Sequence, residues 1–145
     1  MTPPDFPLSA AAYIESARDY IDAALKLIEC ADANTAVEPV GLLTSHGLEL
    51  ALKAYLLETG TSPSLLRRKK VRHNLCALWD MAVGHGLPIE AEPPYWLQVL
   101  NYSHDSPYWS RYRPEGVAIA IPHLSDLAEE LRRVLAVVEP RVARP

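Results

Sequence analysis

His46, Glu49 and Lys53 lie on one stripe of the segment SHGLELALKAYLLETG, Ser45 to Gly60. Their i, i+3, i+7 spacing projects them in nearly one direction from a helix of about 3.6 residues per turn. Leu42, Leu43, Leu48, Leu50, Ala51, Leu52, Ala54, Tyr55, Leu56 and Leu57 surround them. A helix apolar around most of its circumference belongs in a core, where an ionised side chain is costly unless it is paired or faces a wet groove. Glu49 and Lys53 stand one turn apart in the favourable order for an ion pair. The stripe is either an internal brace or the floor of a site.

A second group of chemically able residues follows. Positions 61 to 73 hold Arg67, Arg68, Lys69, Lys70 and Arg72 with no acidic residue, and end on His73. Such a segment attracts phosphates by Coulomb steering, most strongly at low salt; a solvated connection that only keeps the chain dissolved has the same composition. Further on, Arg111 and Arg113 interleave with Tyr102, Tyr108, Trp109 and Tyr112. Rings beside guanidinium forks suit a stacked base whose phosphate meets arginine. They equally suit aromatic packing or a dimer contact. No glycine-rich phosphate loop, His-Glu-x-x-His or Cys-x-x-Cys motif occurs, so neither a metal nor a cofactor is expected. His104 and Asp105 are adjacent, point in different directions, and make a poor metal pair. Cys30 and Cys76 are too few for a disulfide framework or a structural zinc site and read as core thiols.

The elements that must position these groups are helices. The chain has 145 residues, 49% of them hydrophobic, and a mildly negative, unevenly placed net charge of −4, which suits one globular domain spanning 1–145. It contains no run of about 18 apolar residues, as a membrane span requires, and the N-terminus has no leader of the secretory type, so a cytoplasmic protein is expected. A first helix is predicted from about Leu8 to Ala33, with Tyr13, Ala17, Ile21, Ala24 and Ile28 on its apolar face. Pro39 opens a second helix that Gly60 stops. Asn74 or His73 caps a third that runs to about Val83. Pro93 and Pro94 start a short helix carrying Leu97 and Leu100, after which residues 101–116 read as irregular and GVAIAIP as extended. The last helix is predicted from about Pro122 to Glu139. The expected fold is all-α, an antiparallel up-down bundle of four to five helices.

In this order, AAYIESARDYIDAAL, HGLELALKAYLLETG, RHNLCALWDMA and YWSRYRPEG resemble the helices and turns of the HEPN superfamily. The second helix of that family carries a Glu followed by a Lys-Ala pair, here Glu49, Lys53 and Ala54. An Arg-His-Asn-Leu-like signature opens its third helix, here Arg72 to Leu75. An Arg-Tyr-Pro-like turn precedes its last helix, here Arg111, Tyr112, Arg113 and Pro114. The resemblance implies a helical homodimer that binds a nucleotide or RNA, with a toxin-antitoxin or nucleotidyltransferase-linked partner. Many members resemble metal-independent endoribonucleases that use an Arg, four to six intervening residues and a His. Arg113 and His123 stand too far apart for that pattern, whereas Arg67 or Arg68 with His73 meets the count.

Three readings follow. The first is a module holding a phosphate through Lys53, Arg72, His73, Arg111, Tyr112 and Arg113 without turnover. The second is an endoribonuclease in which His73 transfers a proton and Arg68 or Arg72 holds the phosphate. The third is a structural dimerisation domain in which His46, Glu49 and Lys53 brace helices.

Overall fold

A computed structural model describes residues 9–32 and 37–142, and among these the chain is all-helical, with no strand. The helices are α1 (Ala10–Glu29), α2 (Val37–Glu58), α3 (Pro63–Leu66), α4 (Leu75–Gly84), α5 (Tyr95–His104) and α6 (Leu124–Val138), followed by a 3-10 turn over Glu139–Arg141. None is long and apolar enough to cross a membrane.

Local chemistry sets the ends of these helices. The Ser9 hydroxyl accepts from the Ala12 amide at 3.0 Å to open α1, and Ser62, with Pro63 behind it, opens α3. Of the two residues considered for α4, Asn74 is the cap, its side-chain oxygen accepting from the Ala77 amide at 3.1 Å. Gly60, at φ +99°, ends the chain direction of α2 in a conformation that other residues rarely adopt.

α2 is the central element. It packs along α1 and also meets α4, α5 and α6. Its buried residues run around the whole circumference, from Val40 through Leu48, Leu52 and Leu56 on the apolar side to Thr44, Ser45, Glu49 and Lys53. Gly47 permits the close approach of α1: a Cβ there would stand 2.8 Å from Ile21 Cγ1. Trp79, fully buried on α4, crosses Trp96 edge-on at 6.0 Å and donates its indole N–H to the Glu90 carbonyl at 2.8 Å.

Several expectations are corrected. α1 stops at Glu29 rather than near Ala33, and both Leu8 and Ala33 lie outside the described residues. The basic connection contains the extra helix α3, because Ser62 and Pro63 supply a complete start signal. Residues 101–104 are helical, so α5 is ten residues long and ends on His104. Leu97, Leu100 and His104 continue one inward stripe, and that stripe carries the helix past Asn101. The last helix begins at Leu124. Cys30 is exposed at the C-terminal cap of α1 and Cys76 is half-buried, so neither is a sealed core thiol. Gly116 lies in a turn at φ +79°, residues 117–122 belong to no helix or strand, and Ile121 packs over Gly41, whose would-be Cβ stands 3.0 Å away.

Candidate functional site

Glu49 is the centre of the polar core. It is 2% exposed, and one of its carboxylate oxygens, Oε1, accepts from His73 Nδ1 at 2.8 Å and from His104 Nε2 at 2.9 Å. The other, Oε2, accepts from Lys53 Nζ at 3.2 Å. Burial opposes ionisation of Glu49, but the His104 hydrogen bond, the Lys53 charge and the His73 hydrogen bond outweigh it and hold the carboxyl at about 2. The carboxylate is therefore proton-free at neutral pH, and both rings supply the hydrogens in their bonds to it. His104 is fully buried and its Nδ1 has no partner, which suits a lone pair there and the ring proton on Nε2.

The backbone that presents these rings is clamped. The Asn101 side-chain oxygen accepts from the Leu75 amide at 2.7 Å, and its nitrogen donates to the Asn74 side chain at 3.1 Å. Start of α4 and end of α5 are thus tied together, with His73 just before one and His104 at the end of the other. His73 and His104 face each other edge-on at 6.1 Å, and Tyr108 closes on His73 at 5.5 Å. Tyr108 sits at φ +65°, unusual for a ring-bearing residue, and its hydroxyl accepts from Arg72 Nη2 at 3.2 Å. Arg72 Nε is buried without a partner.

Above this network lies a hollow of about 360 Å³ lined by Tyr13, Lys53, Leu66, Arg67, Arg72 and His73. Burial and the facing Glu49 carboxylate raise the Tyr13 phenol above its ordinary value, against the pull of Arg67. No carboxylate is paired with Arg67 or Arg72 among the described residues. The hollow therefore has two guanidinium groups without a carboxylate partner among the described residues, one of them donating to Tyr108, together with an ammonium shared with Glu49, an imidazole and a phenol.

Of the residues singled out in the sequence, Lys53, Arg72 and His73 come together here. Arg68 is exposed and stands off this hollow, whose arginine from the basic run is Arg67. Arg111 lines a separate hollow of about 220 Å³ with Tyr20, Leu42, Leu43 and His46. Arg113 is drawn to the Glu38 carboxylate at the first turn of α2, and Tyr112 is 74% exposed. The Arg111 to Arg113 turn thus does not join Lys53 and His73 in one cavity. His46 makes no hydrogen bond to Glu49; its ring meets Tyr20 edge-on at 4.5 Å and its Nδ1 is buried unpaired. Burial lowers its proton affinity, with Glu49 opposing and His104, Arg111 and Lys53 reinforcing.

Sequence reasoning missed Tyr13, and it weighed His104 only beside Asp105, as a poor metal pair, not as a partner of Glu49. His104 had a signal, since a histidine continuing the Leu97 and Leu100 stripe must be buried and therefore needs a partner. Tyr13 read as an ordinary core position on α1, and nothing in its spacing marks it as lining a hollow. No protein-family model, curated protein or solved structure matches this chain.

Proposed function

We propose that this chain is a HEPN-like module, an antiparallel helical bundle that holds the phosphate of a nucleotide or RNA in the hollow above Glu49. The observation that carries the reading is the convergence of Lys53, Arg67, Arg72 and His73 on one hollow from α2, α3 and the turns before α4. Guanidinium groups that no carboxylate neutralises among the described residues, beside a phenol, meet the needs of a phosphate and its attached base, since arginine offers paired donors to phosphate oxygens. The hollow's volume falls in the range of about 300–1,000 Å³ common to small-molecule sites. The resemblance extends the proposal to a cytoplasmic homodimer working beside a nucleotidyltransferase or antitoxin, which co-purification and sedimentation test directly.

The decisive experiment titrates ATP, a short RNA and inorganic phosphate into the protein with EDTA present, at low and high salt. A ligand at 100 times its dissociation constant adds about 2.7 kcal/mol to stability and visibly raises the melting temperature. Arg72→Gln and Arg67→Gln each weaken this binding, and Arg113→Gln leaves it intact. Equal binding by all three variants, or no shift at millimolar ligand and low salt, removes the reading and leaves a structural dimerisation domain.

A second reading has its own observation. Glu49 holds His73 through Nδ1, so Nε2 is the ring nitrogen left to exchange a proton with a bound phosphodiester, as a metal-independent endoribonuclease requires. Here the phosphate would be held by Arg67 or Arg72 in place of Arg68. RNA cleavage in EDTA that disappears in His73→Ala establishes this activity; intact RNA after prolonged incubation rules it out.

A further inference from the structure

We propose that Glu49, His73 and His104 form a binding site for a divalent first-row transition ion, Zn²⁺ or Co²⁺ in type. One oxygen and two ring nitrogens, from three separate parts of the chain, all lie within 4.8 Å of one another. Glu49 Oε1 is already 2.8 Å from His73 Nδ1 and 2.9 Å from His104 Nε2. An ion bonded at about 2.1 Å to each needs its donors about 3.0–3.5 Å apart. The donors therefore move by a few tenths of an ångström at Glu49, while the two rings swing toward each other.

The donor set is chemically selective. Two imidazoles and one carboxylate suit zinc, cobalt or iron(II), whereas calcium and magnesium demand mostly oxygen. The support around the ligands is also in place. Lys53 Nζ occupies Glu49 Oε2, which orients the carboxylate to bind through Oε1 alone, in the way that outer hydrogen bonds aim metal ligands. Asn74 and Asn101 hold the two histidine-bearing segments in register. On binding, the protons that now bridge to Oε1 leave His73 Nδ1 and His104 Nε2 and move to the other ring nitrogens. For His104 that places an N–H at the sealed Nδ1, an unpaired donor set against a new metal–nitrogen bond.

Three protein ligands leave at least one coordination position open. Glu49 and His104 are sealed on the inner side, and the His73 side chain is 24% exposed, so the open position faces the hollow past His73. The ion would add positive charge to the floor of that hollow. Its binding stands independently of the anion reading, because the protein groups alone define the ligand set.

The test is a titration of EDTA-stripped, desalted protein with Zn²⁺ and Co²⁺ in buffer free of phosphate and nucleotide, on a Cys30→Ser background. The expected result is one ion per chain and a Co²⁺ visible band of low coordination number. His73→Gln, at a half-buried position, weakens binding at least tenfold, as does His104→Gln. His85→Gln and His123→Gln at exposed positions leave it unchanged. Circular dichroism establishes that each variant keeps its helices; should His104→Gln lose them, His73→Gln decides alone. Binding that is insensitive to His73→Gln, or no one-to-one binding below millimolar ion, overturns the proposal. Because phosphate and nucleotide binding are measured in EDTA, either result can fail without the other.

Discussion

Replacing Glu49 by Gln is the sharpest perturbation of this fold. The carboxylate is 2% exposed and receives three hydrogen bonds from charged or imidazole partners at 2.8, 2.9 and 3.2 Å. Folding lowers its titration point from 4.5 to about 2. At about 1.4 kcal/mol for each pH unit, that depression contributes about 3 kcal/mol to stability at pH 7. The variant also leaves the Lys53 ammonium, 7% exposed, without its counter-charge, and breaking a buried pair from one side costs about 3–5 kcal/mol. The two routes describe the same loss and agree in size. Because the folded carboxyl titrates below the unfolded one, its stabilisation is complete above about pH 4.5 and disappears as the pH falls toward 2. Urea unfolding of both proteins between pH 7 and pH 3 reads the difference. Glu49→Gln should be about 3 kcal/mol less stable at pH 7, with the gap falling to about half by pH 3. A gap below about 1 kcal/mol at pH 7, or one that stays constant down to pH 3, refutes the argument that an ionised Glu49 is held by its three partners.

Other substitutions test the elements around that centre. Trp79→Ala empties a fully buried site and orphans the Glu90 carbonyl, and denaturant unfolding should show a loss of about 3–5 kcal/mol. Gly47→Ala drives a methyl to 2.8 Å from Ile21 Cγ1 and 3.3 Å from the Ile21 backbone nitrogen, so the melting temperature should fall despite the better helix preference of alanine. Asn74→Ala removes the cap of α4 together with the bond from Asn101, at a loss of about 1–2 kcal/mol; an unchanged melt would show that the two helices are held by apolar packing alone. Alkylation followed by mass spectrometry should label exposed Cys30 well before Cys76, whose thiol is raised by burial.

Much of this architecture was legible in the chain because helices announce themselves locally. The Asn74 cap, Gly60, the prolines and the periodic stripes of α1, α2 and α6 are all short-range signals, and the observed elements follow them. The misreadings arose where a local signal was weak or had two meanings. Cys30 keeps apolar company in sequence, but it sits at the cap after α1 has ended and faces solvent. The polar run from Asn101 to His104 looks like a loop, but its inward positions continue the face of Leu97 and Leu100, and burial of that face outweighs its composition.

What the sequence determined by itself was the helical class, the central place of α2 and the demand that Glu49 and Lys53 find partners inside it, because an ionised group on an apolar helix cannot be left bare. Which partners they found was decided only by the tertiary structure. His73 and His104 meet on Glu49 Oε1 although 24 and 55 positions separate them from it in the chain. Arg67 reaches the hollow where Arg68 does not, and Arg113 is taken by Glu38. Contacts of that kind depend on how helices cross and on which carboxylate stands nearest after they do, and neither is written in spacing along one strand of residues.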